Sequence, residues 1–307
     1  MYAYLLRRIL VTIPVMFGVL LLVFSMLHLV PGDPVKLMLS EFQTSPQQIA
    51  LVRAQLHLDE PLPEQFGRYV WGALHGDLGY SIRDRRPVSS DIMDNLPSTL
   101  ELALAGMLIA ALIGVTLGIV AAIKQNSWAD IGSMFFAMLG VSMPSFWLGL
   151  ILIFAFSLHI HFFPAVGANG FRSLVLPAVT LGLGAAAIIA RLTRSSMLEI
   201  LHQEYVTTAR AKGVREWRVI VRHALKNALI PVVTIFGLQF GQLLAGTVVI
   251  ETVFGRPGIG RLIVDAILAK DFPVVQGVVL VIAVSYVVVN LLVDLTYVLL
   301  DPRIRYA

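Results

Sequence analysis

Few residues in this chain belong to types that do chemistry, and their spacing limits what they can do. His159 and His161 form a His-x-His pair of the kind metals use. A zinc site needs a third and a fourth ligand; none is evident nearby, and on a helix residues i and i+2 point apart, so the pair reads as interfacial histidines. Ser142, in "GVSMPSFW", is a candidate nucleophile. Such a hydroxyl needs a positioned base, the glycine that would follow it is missing, and Pro144 reads more simply as a helix break. "GRPGIG" at 255–260 looks like a phosphate loop but lacks its spacing and reads as a tight turn. No G-x-x-x-x-G-K-[ST] occurs anywhere, so the chain has no P-loop to cradle ATP. Glu101 and Asp294 are the acids nearest the apolar stretches, where ionisable groups are functional candidates by default. For Glu101 a bland explanation is at hand, because "PSTLE" offers Ser98 as N-cap and Glu101 as N3 of a helix. Asp294, four residues after Asn290, has no such explanation; it is expected to pair with a basic residue or to line a polar pathway.

The stretch that stands out is "EYVTTARAKG" at 204–213, inside a polar, basic island. A helix with Arg210 and Lys212 in its last turn, stopped by Gly213, fits the dipole and C-cap rules. Its middle, Thr207, Thr208, Ala209 and Ala211, is too small to fill a groove of its own. Such a helix suits close approach by another protein; an ordinary basic loop that fixes membrane topology is the alternative.

The elements that must position these residues follow from composition. Of 307 residues, 57% are hydrophobic and 14% charged, with a mean hydropathy of +0.82. Soluble domains run nearer half apolar and a quarter charged. Cysteine is absent, which excludes disulfides and thiolate metal sites. The formal charge of +4 gathers in one loop rather than over a soluble face, so it reads as a membrane orientation signal and not as a nucleic-acid surface.

Crossing about 30 Å of hydrocarbon takes about 20 helical residues. Six stretches free of Asp, Glu, Lys and Arg qualify or nearly so: 9–30, 102–123, 131–160, 173–190, 228–250 and 272–293. The third is long and contains Pro144, which predicts a tilted or broken helix. Strand-like alternation is missing. The chain is therefore expected to be an all-α polytopic membrane protein with six transmembrane helices. The first stretch is longer than a signal-peptide core and leads into "VPGDPVK" rather than a cleavage site, so it is kept as helix one. Arg7, Arg8, Lys124, Arg303, Arg305 and the loop 191–227, with eight basic and three acidic residues, all fall on one side, which predicts cytoplasmic termini. The opposite side receives 31–97, with six basic and nine acidic residues. It contains a capping box (Ser45, Pro46, Gln48) and a second amphipathic helix ending near Gly76. It is read as a helical insertion serving as a lid or docking surface. No internal repeat is present.

Taken in order, "LRRILVTIPVMFGVLLLVF", "VPGDP", "TRSSMLEIL", "EYVTTARAKG…RHALKNALIPVVT", "ETVFGRPGIGRLIVDAI", "DFPVVQGVVL" and "NLLVDLTYVLLDPRIR" resemble the permease subunits of binding-protein-dependent ABC importers. The likeness is to the dipeptide, oligopeptide, glutathione and nickel branch, and it covers nearly the whole chain. The family's general loop pattern is Glu-Ala-Ala, three residues, Gly, nine residues, Ile-x-Leu-Pro. Aligned on Gly213, its first three slots hold Thr207, Thr208 and Ala209; the Ile and Pro slots hold His223 and Lys226, and the proline comes later as Pro231. This departure is typical of the peptide branch, and Glu204 stands one turn before the missing Glu.

The resemblance implies a type I ABC importer permease fold with a periplasmic helical insertion between helices 1 and 2. It divides the chain into 1–30 (cytoplasmic N-terminus and first span), 31–97 (insertion), 98–300 (core permease with coupling loop 191–227) and 301–307 (cytoplasmic C-terminus). By the same resemblance Glu204, Tyr205, Thr208, Ala209, Arg210, Ala211, Lys212 and Gly213 dock into a separate ATPase subunit. Asp294, Asn290, Ser142 and Pro144 are possible pathway residues, and no metal site is expected. The chain itself would carry no cofactor and no ATP hydrolysis; ATP and Mg²⁺ would be bound by two ATPase subunits. A second, homologous permease subunit, a periplasmic solute-binding protein and the bacterial inner membrane complete the expected partners, with short peptides as cargo, or glutathione, nickel or another small solute. Two rivals are a stand-alone secondary transporter, which predicts inverted repeats and midplane charge, and an intramembrane enzyme built on Ser142.

Overall fold

In hydrocarbon the backbone must satisfy its own polar groups, so apolar runs of this length become helices. A computed structural model describes residues 2–39, 45–168 and 170–300, with side chains at 8 and from 10 to 293. Arg303, Arg305 and the rest of the tail 301–307 lie outside the described residues, as do the side chains of Arg7 and Asp294. Thirteen α-helices are described: α1 (Tyr2–Leu29), α2 (Pro34–Met38), α3 (Pro46–Gln55), α4 (Leu62–Leu74), α5 (Val88–Ile123), α6 (Trp128–Ser142), α7 (Ser145–Leu152), α8 (Phe171–Leu201), α9 (Glu204–Ala211), α10 (Glu216–Arg218), α11 (Lys226–Val253), α12 (Ile259–Leu268) and α13 (Phe272–Leu300). Wide π-helical turns extend α7 (Ile153–His159) and precede α11 (Val219–Leu225). Among the described residues the only extended pairing is one bridge, Tyr80 to Pro87. Five helices are long and apolar enough to cross a membrane, and α6 with α7 makes a sixth if counted as one span bent by 107°. The bend falls at Met143–Pro144, as the proline predicted.

The chain divides into two units, 1–97 with 258–288, and 98–257 with 289–307. In the first, α4 lays one face on α1. Phe66 meets Phe17 and Phe24 edge-on, with centroids 5.7 and 5.3 Å apart. Buried Gln65 donates to the Leu58 and Glu60 carbonyls, and its own oxygen lies 3.0 Å from His28 Nε2. The capping box forms as expected, Ser45 Oγ accepting from Gln48 N and Gln48 Oε1 from Ser45 N. Val88 and Ile92 pack with Val274, Val275 and Val278, and Asp271 accepts from Ser81 Oγ at 2.6 Å. A helix α12 that the sequence reading did not name places Ile259 and Ala266 in the same cluster.

In the second unit α8 is the central helix: 72% of its apolar window is buried, against 17–39% for the other spans. Close approach explains this burial. A Cβ at Gly114 would lie 2.7 Å from the Ala186 carbonyl, and one at Gly118 would lie 2.5 Å from Thr193 Cβ, so only glycine lets α5 reach α8 there. Ala137, Ala187 and Ala190 do the same for α6.

One expectation fails here. Ser98 does not cap a helix starting at Thr99, because α5 already begins at Val88 and runs through Pro97. A proline inside a helix costs about 3 kcal/mol. Burial of Val88 and Ile92 on the preceding turns favours the longer helix despite that cost. Ser98 Oγ is left buried without a partner, and Glu101 joins Arg256 instead.

Candidate functional site

The polar island folds as a short, braced helix at the end of α8. After His202 and an extended Gln203, α9 turns its Val206 and Ala209 inward, onto Val219 with Ile200, Leu201 and Val214. It stops in a Schellman motif: Val214 N donates to Ala209 O at 3.2 Å and Gly213 N to Arg210 O at 2.9 Å. Gly213 sits at φ +73°, a conformation L side chains avoid.

Three side-chain bonds brace α9, two of them to the root of α11 and one to α10. Tyr205 donates its hydroxyl proton to the His223 carbonyl (3.2 Å) and accepts from Asn227 Nδ2 (2.8 Å). Arg210 meets Glu216 at 2.8 Å across the loop, and that bond raises the guanidinium pKa further. Thr208 Oγ1 donates back to the Glu204 carbonyl at 2.9 Å, so its hydroxyl is satisfied within the helix. What remains outward is a face of Glu204, Thr207, Thr208, Ala211 and Lys212, spaced by three and four residues, all exposed. It is small, flat and polar at its ends.

Of the eight residues singled out in the sequence, Glu204, Thr208, Ala211 and Lys212 lie on that face, and Gly213 ends it. Two also have contacts within the chain. Ala209 is buried against the chain's own valines, and Arg210 is paired with Glu216. Ser142 ends α6 and Pro144 opens α7 at the exposed break, and Asn290 is half-buried on α13. His159 closes the π-helical turn, and His161 follows in a left-handed conformation.

Sequence reasoning missed the clamp above the loop. Asp130, capped by Ser127 at the start of α6, takes a bidentate bond from Arg194, with both distances 2.7 Å. Arg194 stands about two turns before the end of α8. The two residues are 64 positions apart, and no local signal marks them as partners.

Apolar spans around a small-residue core, with one polar and internally braced loop, define a polytopic membrane permease. The chain belongs to the family of inner membrane components of binding-protein-dependent transport systems, which it matches over residues 114–306, with that family's N-terminal membrane component matched over 1–103. It is 45% identical over 306 residues to the glutathione transport system permease protein GsiC of Escherichia coli O6:H1, and 46% to that of Salmonella paratyphi A; each comparison covers 100% of both chains. Among solved structures it resembles the inward-facing MetNI methionine ABC transporter, with TM-score 0.60 at 16% identity over 68% of this chain and 96% of that one. An amino acid ABC transporter matches with TM-score 0.52 at 15% identity, over 70% and 94%. These two show the fold alone. The chain is an ABC importer permease of the bacterial inner membrane; it is not an enzyme, since ATP hydrolysis in such importers is done by separate ATPase subunits.

Proposed function

We propose that this permease forms half of the translocation path for short peptides, glutathione (itself a tripeptide) among them, and takes its driving stroke through α9. The observation that carries the coupling is the outward face of Glu204, Thr208, Ala211 and Lys212. It is held by the Schellman stop and by Tyr205, so a push on it is passed to α8 and α11 rather than absorbed. The full-length likeness to glutathione permeases supports the cargo class. A second permease subunit would complete the path, two ATPase subunits would seat α9, and a binding protein would deliver solute to the side bearing 31–97. The basic loop 191–227 and both termini would face the cytoplasm.

Co-purification from mild detergent, followed by uptake in proteoliposomes, tests this. An ATPase, a second permease and a binding protein should co-purify, and labelled glutathione or dipeptide should accumulate only with ATP. A chain that purifies alone and transports without ATP would overturn the reading. Uptake of nickel but of neither peptide would overturn the cargo class.

A further inference from the structure

In the first unit, α4 is built inside out for water. Its Gln65 is 7% exposed, whereas Trp71 and Leu74 are 67% and 72% exposed. A surface helix of a soluble domain turns its apolar stripe to the core and its polar residues to solvent. On α4 the spacing by three and four makes three stripes. Gln65, Phe66 and Tyr69 turn to α1, where Gln65 meets His28, Phe66 meets Phe17 and Phe24, and the Tyr69 ring lies 6.0 Å from Phe24. Glu64, Arg68 and His75 form an exposed polar edge. Pro63, Gly67, Trp71 and Leu74 make the third stripe, apolar and exposed throughout.

What α4 rests on says what surrounds it. Phe24 and Phe17 lie inside the apolar span Leu10–Leu29, about 8 and 18 Å along the helix from Leu29. Against a hydrocarbon core of about 30 Å, Phe66 is therefore held at acyl-chain depth. The span itself exposes Leu21, Leu22 and Leu29, so the lipid that wets α1 reaches α4 as well. At 13 residues, about 20 Å, α4 is too short to cross. Its polar side backs onto a cavity of about 190 Å³ lined by His28, Gln65, Tyr69 and Gln276, away from the apolar stripe.

We propose that α4 is a lipid-embedded helix, lying in one leaflet against α1 with Trp71 and Leu74 among the acyl chains. The Glu64–Arg68 edge lies toward the headgroups. Arg68 donates to both oxygens of Glu60, so its charge is paired, and its long stem lets the guanidinium reach upward. Trp71 suits that boundary, with an apolar ring and one N–H donor. The insertion 31–97 is thereby tied to the bilayer by its own helix as well as by the spans that flank it. The assignment depends on the membrane location of the chain and not on its cargo.

The chain has no cysteine, so a single introduced thiol reports one position once this chain is resolved from its partners on a denaturing gel. The test uses the complete importer in proteoliposomes, freeze–thawed so that a charged, impermeant maleimide reaches both sides. Trp71→Cys and Leu74→Cys should react about tenfold more slowly than Gln47→Cys on the polar helix α3, because the thiolate is the reacting form and hydrocarbon keeps the thiol protonated. A phospholipid carrying a diazirine in its acyl chain should label residues 62–74 of the wild-type chain. Co-purification of every subunit checks that the variants assemble, and Leu74→Cys carries the test alone if Trp71→Cys does not. Reaction as fast as at Gln47→Cys would put the stripe in water and overturn the assignment. Slow reaction with no lipid adduct on 62–74 would overturn it too, by placing a protein subunit on the stripe.

Discussion

The loop after α8 and the cluster at Glu101 hold charge in opposite ways. In the loop the ties are short in sequence and wet. Arg210 reaches Glu216 six residues on, and Tyr205 reaches His223 and Asn227 across 18 and 22, all at the exposed surface. In the cluster Thr99 donates to Glu251 and Arg256 to Glu101, across 152 and 155 residues, and Thr99, Glu251 and Arg256 are buried. The loop can therefore keep its shape as a unit and offer it to a partner, whereas the cluster exists only when the bundle is packed. Damage to the first should alter coupling, and damage to the second should alter stability.

The sharpest way to break that contrast is Arg256→Ala. It removes a wholly buried side chain and the bond to Glu101, and is expected to cost about 3 kcal/mol, read as a lowered Tm of the detergent-solubilised chain. Asp130→Asn tests the intermediate case, a long-range pair whose Arg194 is 28% exposed. It should cost about 2 kcal/mol by the same measurement, as for hydrogen bonds to charged groups. Gly213→Val forces a β-branched residue to φ +73°, at about 1–2 kcal/mol. That strain should stay local: amides 204–215 should exchange faster and uptake per ATP should fall, with membrane insertion intact. Arg210→Gln should be smallest, about 0.5 kcal/mol, because both partners are solvated, and high salt should erase it. If Arg210→Gln proved more destabilising than Arg256→Ala, the contrast would be lost.

The same contrast decides what could be read in advance. The capping box at Ser45 and Gln48, the break at Pro144 and the stop at Gly213 are set by residues a few positions away, and each is legible in the sequence. Gly114 and Gly118 stand four residues apart on α5, but no local pattern says that α8 is the helix they let in. Glu101 was misread because its true partner lies 155 residues on, and because the packing that carries α5 through Pro97 comes from Val274, Val275 and Val278. In the loop, spacing gave the helix and its end. Which residues face outward depended on Val219 and Glu216, two side chains that a local pattern leaves unassigned.

The coupling claim is tested most directly by Ala211→Trp in the assembled importer. Ala211 is exposed on α9 and is not part of the loop's buried cluster, so the chain itself should fold with an unchanged Tm. The account predicts that the ATPase subunits are lost on co-purification or that uptake per ATP falls at least tenfold. An Ala211→Trp importer that keeps its ATPase subunits and transports at the wild-type ratio would contradict it.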